Sequence, residues 1–443
     1  MLGVIQNINN IIWGPPLLVL LVGTGVYFTV RLSWFQMGKL PTAFRLIFSS
    51  NQSGHGDVSS FAALCTALAA TVGTGNIVGV ATAITTGGPG ALFWMWVAAF
   101  FGMATKYAEG FLAIKYRTKD SNGQAAGGPM HYITLGMGHR WKPLAIFFAG
   151  SGVLVALLGI GTFSQVNAIT SALEASFGLS PRLISLLLAV LVACIIFGGI
   201  ETISKVSTKV VPFMAILYIV ATIWILMVHI EQIIPTLQLV FQSAFSPVAA
   251  LGGFAGTTVK EAIQRGIARG VFSNESGLGS APIAAAAAKS DNAVEQGLIS
   301  MIGPFIDTII ICSLTGLSIL VTGQWTVEGL AGASLTQVAF ATVFGNPGAV
   351  ALAVSLVLFA FTTILGWSYY GERCIAFLFG TKSILPYRLV FVVMVALGGF
   401  LKLDLIWTLA DIVNGLMALP NLIALLALSP VIIKETRQYF KKK

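Results

Sequence analysis

The chain has 443 residues, of which 56% are hydrophobic and only 9% charged, with a mean hydropathy of +0.88. A soluble fold has too little polar surface to cover so much apolar side chain, whereas a bilayer solvates it, so the composition points to a polytopic membrane protein. The formal net charge of +9 is spread over short segments rather than gathered on one domain, which argues against a nucleic-acid or acidic-partner surface.

Apolar stretches long enough to cross a bilayer fall near 14–31, 57–85, 90–114, 144–175, 182–200, 208–230, 250–288, 298–322, 348–379, 386–402 and 406–433, and predict about eleven transmembrane helices in an all-α fold. The first lacks a preceding basic segment or small-residue cleavage site, so it is expected to stay as an anchor. Lys and Arg fall at every second boundary: Arg31, Lys39 and Arg45, then Lys115 to Lys142, Lys205 and Lys209, Lys289, Arg373 to Arg388, and the closing Lys434 to Lys443. Segments 231–247 and 323–349 contain neither residue. The asymmetry predicts a multi-pass plasma-membrane protein with its N-terminus outside and its C-terminus in the cytoplasm. Cys65, Cys194, Cys312 and Cys374 lack the close spacing of a metal or redox pair and are expected to fill the core. The run Ala284 to Ala288 is expected to be a close-packing helix face.

Two spans carry interruptions. "ATVGTGNIVGV", Ala70 to Val80, sets three glycines, two threonines and an asparagine inside the second span, and "SNESGLGSAP", Ser273 to Pro282, interrupts the seventh. Glycine weakens a helix, and each backbone group released at membrane depth must find a partner in protein, water or ligand. One such glycine run by itself is better accounted for by close helix packing. Two, each in the first helix of a five-span set once the first span is set aside, fit halves of inverted topology whose broken helices build a midplane site in a secondary transporter. The divisions are 1–56, an extra helix and loop; 57–230 and 231–434, the two five-helix repeats; and 435–443, a basic tail. In the ninth span, "FAFTTILGW" places the adjacent hydroxyls Thr362 and Thr363 where they either bond back to the preceding turn or serve as hard oxygen ligands. With carbonyls released near Ala69 and Val72 they make a neutral oxygen set suited to a monovalent cation.

The run "GGPGALFWMWVAAFFGMATKYAE", Gly87 to Glu109, with "GTGNIVGVATAI" and "RGVFSNESGLGSAPIAAAAAK", closely resembles the alanine or glycine:cation symporters, the sodium:alanine symporter family, over nearly the whole chain. The resemblance implies a leucine-transporter-like fold and inward symport of small neutral amino acids with Na+, or with H+ as the alternative ion. It implies no organic cofactor. By that analogy the amides of Thr74, Gly75 and Asn76 meet the substrate carboxylate, and Phe272, Ser273, Asn274 and Glu275 face its amino group and side chain. The carbonyls of Ala69, Val72 and Phe359 and the hydroxyls of Thr362 and Thr363 form the sodium site.

Trp367 lies one helical turn beyond Thr363, where its ring takes volume that a larger side chain needs, which favours alanine or glycine over leucine. Phe163 and Gln165 either close the remaining wall or belong to a polar helix seam. The Phe-Trp-Met-Trp run, Phe93 to Trp96, reads as packing and interfacial anchoring. Ionisable residues inside spans are costly and mark function by default: Glu275 sits in a break, whereas Asp307 and Asp411 are expected to have structural partners or, in a rival mechanism, to carry a proton. A channel is disfavoured by the asymmetry of the breaks, and an enzyme by the scattering of His55, His131, His139 and His229. The expected partners are the amino-acid substrate and lipid, with no nucleic acid and no obligate protein partner.

Overall fold

The structure is a computed structural model that describes residues 2–48, 54–248, 256–400 and 404–442. Its elements are almost entirely helical. Three helices precede the first interrupted span: α1 (Leu2–Ile12), α2 (Pro15–Arg31) and α3 (Phe35–Ile47). The expected span 14–31 is thus α2, with Pro15 supplying the preset φ that suits a first helical turn. Next come α4 (Ser60–Thr71) and α5 (Val80–Gly87), the long α6 (Gly90–Lys115), a small hairpin of β1 (Thr118–Lys119) and β2 (Ala125–Ala126), and α7 (Pro129–Gly136).

The predicted span 144–175 is a broken one. It comprises α8 (Lys142–Leu158) and α9 (Phe163–Phe177), separated at Gly159–Thr162, where Gly161 lies so close to α8 that a β-carbon would sit 2.6 Å from the Ala156 carbonyl oxygen. Then follow α10 (Pro181–Ile196), α11 (Gly199–Val228) and α12 (Ile230–Phe245). Cys194 on α10 is exposed, not buried in the core as expected, because it faces away from the bundle.

The seventh predicted span is α13 (Val259–Asn274) and the short α14 (Ala281–Ala285); residues 250–255 of that prediction lie outside the described residues. The alanine run leaves its helix after Ala285, so it is no continuous helix face: the chain turns, and Ala287 offers its carbonyl to the amides of Asp57 and Val58. The rest of the chain is α15 (Ala293–Pro304), a π-helical stretch Phe305–Cys312, α16 (Ser313–Val321), α17 (Gly332–Phe344), α18 (Asn346–Phe379), α19 (Ile384–Leu397), α20 (Asp404–Ala427) and α21 (Ser429–Lys442). The last predicted span, 406–433, is not straight, since α20 and α21 meet at a 56° bend, and the basic tail continues α21 as a helix.

By length and apolarity six described helical stretches reach across a bilayer, or eight if each bent pair is one span, fewer than the eleven predicted. Short helices such as Pro181–Ile196 account for part of the difference. Helix α6 lies between α13 and α15, while α18 runs against α8, α9 and α4. The breaks of α4–α5 and α13–α14 are therefore enclosed from two sides by long unbroken helices.

Candidate functional site

The first break is built by Asn76. Val72 turns to φ −75°, ψ 90°, ending α4, and the next amide, that of Gly73, donates to Asn76 Oδ1 at 2.9 Å instead of extending the helix. Asn76 in turn gives its own amide to the Gly73 carbonyl at 3.2 Å. The chain resumes as a π-helical turn over Gly75–Gly79, so the two halves meet at 52°. Ala69 and Val72 are fully enclosed beside this turn.

The second break starts at Glu275, the left-handed C-cap of α13 at φ 55°, and Gly277 and Gly279 follow at φ 89° and 84°, conformations that strongly favour glycine. Their amides are satisfied by Glu109 of α6, whose Oε1 accepts from Gly277 at 3.1 Å, from Gly279 at 3.2 Å and from Asn421 Nδ2 at 2.7 Å. Tyr132 donates to Asn421 Oδ1, fixing the amide's orientation. Glu109 thus holds the second break in place, a part that the sequence alone does not assign to it. Its signal was available, since it is a carboxylate inside a predicted span.

The two breaks touch. A β-carbon on Gly75 would lie 3.2 Å from Ser273 Cα and 3.5 Å from Phe272 Cδ1. Asp307, fully buried in the π-helical stretch, receives a bond from each: Asn76 Nδ2 donates to its Oδ1 at 2.7 Å and Ser273 Oγ to its Oδ2 at 2.7 Å. Thr308 Oγ1 also donates to Oδ2 at 2.7 Å, and Asn274 Nδ2 donates to Thr308 Oγ1 at 3.1 Å. Among the described residues no cation pairs with Asp307 within 4.0 Å. The expected structural partners are present, and the residue does more than pack: it joins Asn76, 231 positions away, to Ser273.

Glu275 is held by protein donors on both oxygens, Ser280 Oγ on Oε2 and Trp367 Nε1 on Oε1 at 3.0 Å. Trp367 thus orients this carboxylate as well as filling space between Tyr370 and Gly161. On α18 the hydroxyls of Thr362 and Thr363 each donate to the Phe359 carbonyl at 3.0 Å, the back-bonded arrangement. Thr363 nonetheless faces the first break, for a β-carbon on Gly73 would lie 2.4 Å from its Oγ1. Thr362 also reaches Met214 Sδ at 3.5 Å and lies to the side. Gln165 stands beside the same glycine, and its Oε1 is buried without a partner while Nε2 donates to the Ile160 carbonyl at 3.1 Å. Phe163, Phe272 and Asp411 enclose a further small cavity of about 10 Å³ on the other side.

Above the first break a cavity of about 410 Å³ reaches Thr74 and Val78, walled by α9, α17 and α18. At the other end of the bundle, where the basic residues gather, the breaks are sealed. Arg117, at the start of the hairpin, donates to the Ala288 carbonyl at 2.7 Å and to Asp291 Oδ1 at 2.8 Å. The Ala125 amide donates to Asp57 Oδ2 at 3.1 Å, and Arg373 of α18 reaches Asp120 Oδ2 at 2.9 Å and Glu372 Oε1 at 2.7 Å. Arg388 completes the chain to Glu372 Oε2 at 2.6 Å. The His55 backbone amide, and then its ring, hold the Asp291 carboxyl below its usual range. Burial raises that of Asp57. His131, packed edge-on against Phe377 on the same face, is pushed down to about 4 by burial, with the Arg373 charge adding to the effect.

The sequence matches the model of the sodium:alanine symporter family over residues 1–443. A transporter of Haemophilus influenzae is 56% identical over 440 residues, covering 99% of this chain and 96% of that one. The sodium/alanine symporter AgcS of Methanococcus maripaludis is 49% identical over 442 residues, covering 98% and 96%. The probable sodium/glutamine symporter GlnT of Bacillus subtilis is 38% identical over 439 residues, covering 98% and 90%. Among solved structures, MhsT in complex with L-phenylalanine superposes with a TM-score of 0.52 at 13% identity, over 86% of this chain and 99% of that one. This likeness shows a shared leucine-transporter-like fold. With a family match end to end and relatives this similar across their length, the chain belongs to the sodium:alanine symporter family.

Proposed function

We propose that this protein imports a small neutral amino acid, alanine or glycine, together with Na+, by alternating access around the two breaks. The observation that carries the reading is the meeting of the interrupted helices beneath a cavity that reaches Thr74 from one end while the other end is closed by the Arg117 and Arg373 clusters. On the positive-inside rule the basic end is taken as cytoplasmic, with the cavity and the N-terminus outside and the C-terminus inside. The two sets of five helices over 57–230 and 231–434 form inverted repeats.

In this arrangement the substrate carboxylate meets the amides of Thr74 and Gly75 at the start of the resumed helix, where amide dipoles favour an anion. Asn76 acts through its side chain, since its amide is already given to Gly73. Phe272, Ser273 and Asn274 bound the opposite side. Trp367, Phe163 and Gln165 limit the space for a side chain, and Glu275, oriented by Trp367, sets the charge on that wall. Na+ enters as co-substrate, taking the carbonyls of Ala69, Val72 and Phe359 and the hydroxyls of Thr362 and Thr363, which release their bonds to Phe359 to do so. A hydroxyl keeps lone pairs free for a cation, and a neutral oxygen shell binds Na+ weakly enough to let it leave.

Alanine uptake into proteoliposomes under an imposed Na+ gradient, against an imposed H+ gradient without sodium, tests the reading. Sodium-driven uptake that is lost in Thr362→Ala/Thr363→Ala supports it. Uptake driven by protons and indifferent to the threonines would overturn the sodium site and move the coupling to Asp307 or Glu275.

A further inference from the structure

Helix α6 carries a buried lysine that the symport reading leaves unused. Lys106 is 2% exposed, and its ammonium has no hydrogen-bond partner within the protein. Its nearest carboxylate oxygen, Glu109 Oε2 one turn away, stands at 4.0 Å, beyond hydrogen-bond reach, and is itself without a donor. Taking an ammonium out of water is costly unless it is paired and bonded, so a lysine buried in this way implies a compensating use.

The surroundings indicate that use. Lys106 lines a small cavity of about 20 Å³ whose wall is Leu68 and Thr71 of the first broken helix, Asn274 of the second, and Gln296 and Ser300 of α15. Gln296 Oε1 is also buried there without a donor. The space is enough for one water, which accepts from an ammonium and donates to a carbonyl. Lys106 therefore sits against both broken helices on a four-carbon stem, held by no direct hydrogen bond. Three fully buried carboxyl groups belong to the two breaks or hold them: Glu275 in the second, Glu109 bonded to Gly277, and Asp307 bonded to Asn76 and Ser273. Three carboxyl groups thus stand with one buried ammonium.

We propose that Lys106 is the tethered counter-cation of the empty carrier. Once Na+ and substrate have left, its ammonium swings through the small cavity toward the carboxylates between the breaks and balances them while the unloaded protein returns to the outward-facing state. In low dielectric one positive charge a few ångströms from a carboxylate is a strong attraction, and the flexible stem of lysine lets it move with little backbone change. The loaded carrier, which holds Na+, does not need it. The inference rests on the symport reading, because only a carrier must reorient empty.

Two assays on the same proteoliposomes separate the steps. Exchange of labelled alanine at equal saturating Na+ on both sides uses only the loaded carrier, whereas net uptake down a Na+ gradient also needs the empty return. Lys106→Gln is expected to keep exchange while net uptake falls by about tenfold or more, the scale of leaving a buried carboxylate without its counter-charge. Lys106→Arg, which keeps the charge, is expected to recover part of the net uptake. Exchange in the variant reports that it has folded. If Lys106→Gln keeps both activities, or loses both, the tethered-cation role is overturned. If the wild-type protein itself shows no sodium-driven uptake, it is the symport reading that fails instead.

Discussion

Asn76 and Asp307, 231 positions apart, meet through a 2.7 Å bond from Nδ2 to a fully buried carboxylate oxygen. Asn76 shapes the first break and Asp307 receives Ser273 from the second, so this contact and its neighbour convert two separate interruptions into one site. Replacing Asp307 by Asn keeps the size but removes the charge. A hydrogen bond to a charged group contributes about 1.5–3 kcal/mol. Asp307→Asn is therefore expected to weaken sodium activation of uptake by about 10- to 100-fold, read as the Na+ concentration for half-maximal alanine uptake. An unchanged sodium dependence would show that the carboxylate's charge is not used.

Gly73 faces Thr363 with no room for a side chain, as a β-carbon would stand 2.4 Å from the hydroxyl oxygen. Adding that carbon forces the first break away from α18. Overpacking in a tight interior costs about 1–3 kcal/mol. Gly73→Ala is expected to lower alanine uptake by at least several-fold. Equal uptake by Gly73→Ala and wild type would mean that this approach is not needed for transport.

These contacts also show what a sequence displays of such a site. The breaks were legible because "GTGN" and "SNESGLG" put glycine and short polar residues where an apolar helix should continue, and because ionisable groups in spans stand out, as Glu275 and Asp307 did. The kink at Gly159–Thr162 was hidden, since the apolar run continues on both sides and hydropathy reads straight through it. The pairings across the fold were hidden as well. Nothing local to Glu109 says that it caps Gly277 and Gly279, and nothing near Trp367 says that its indole will hold Glu275. The alanine run misled for a related reason: high helix propensity did not outweigh the carbonyl acceptors that Arg117 and Asp57 require at the helix end.

The pair between Arg373 and Asp120 is where α18 is tied to the hairpin, and through Asp57 and Arg117 to both broken helices. Both side chains are at least nine-tenths covered, so the pair is worth more than a surface ion pair. Opening a path to the basic end must break it. Asp120→Ala is expected to shift the population toward the open form by about 10- to 100-fold, given about 1.5–3 kcal/mol for a charged hydrogen bond. A cysteine placed at Ala67, on the small cavity beside α4, reads this as faster reaction with an impermeant thiol reagent in inside-out vesicles when Cys194 is removed. Labelling at the wild-type rate would show that the pair does not hold the closed state.

His131 gives the same closed face a pH dependence whose sign is fixed. Its ring is kept neutral by burial against Phe377 and by the Arg373 charge, so its folded pKa of about 4 lies below the ordinary value of 6.5. The unfolded chain then binds the proton more readily than the folded one between those values, and stability rises with pH across that window. The contribution is present above pH 6.5 and is lost as pH falls toward 4. The apparent melting temperature in detergent is therefore expected to drop on acidification from pH 7 to pH 4.5, and His131→Phe, which keeps a ring against Phe377 and cannot take a proton, to drop less. Parallel curves for the two proteins would show that protonation of His131 is not what the acidic form resists.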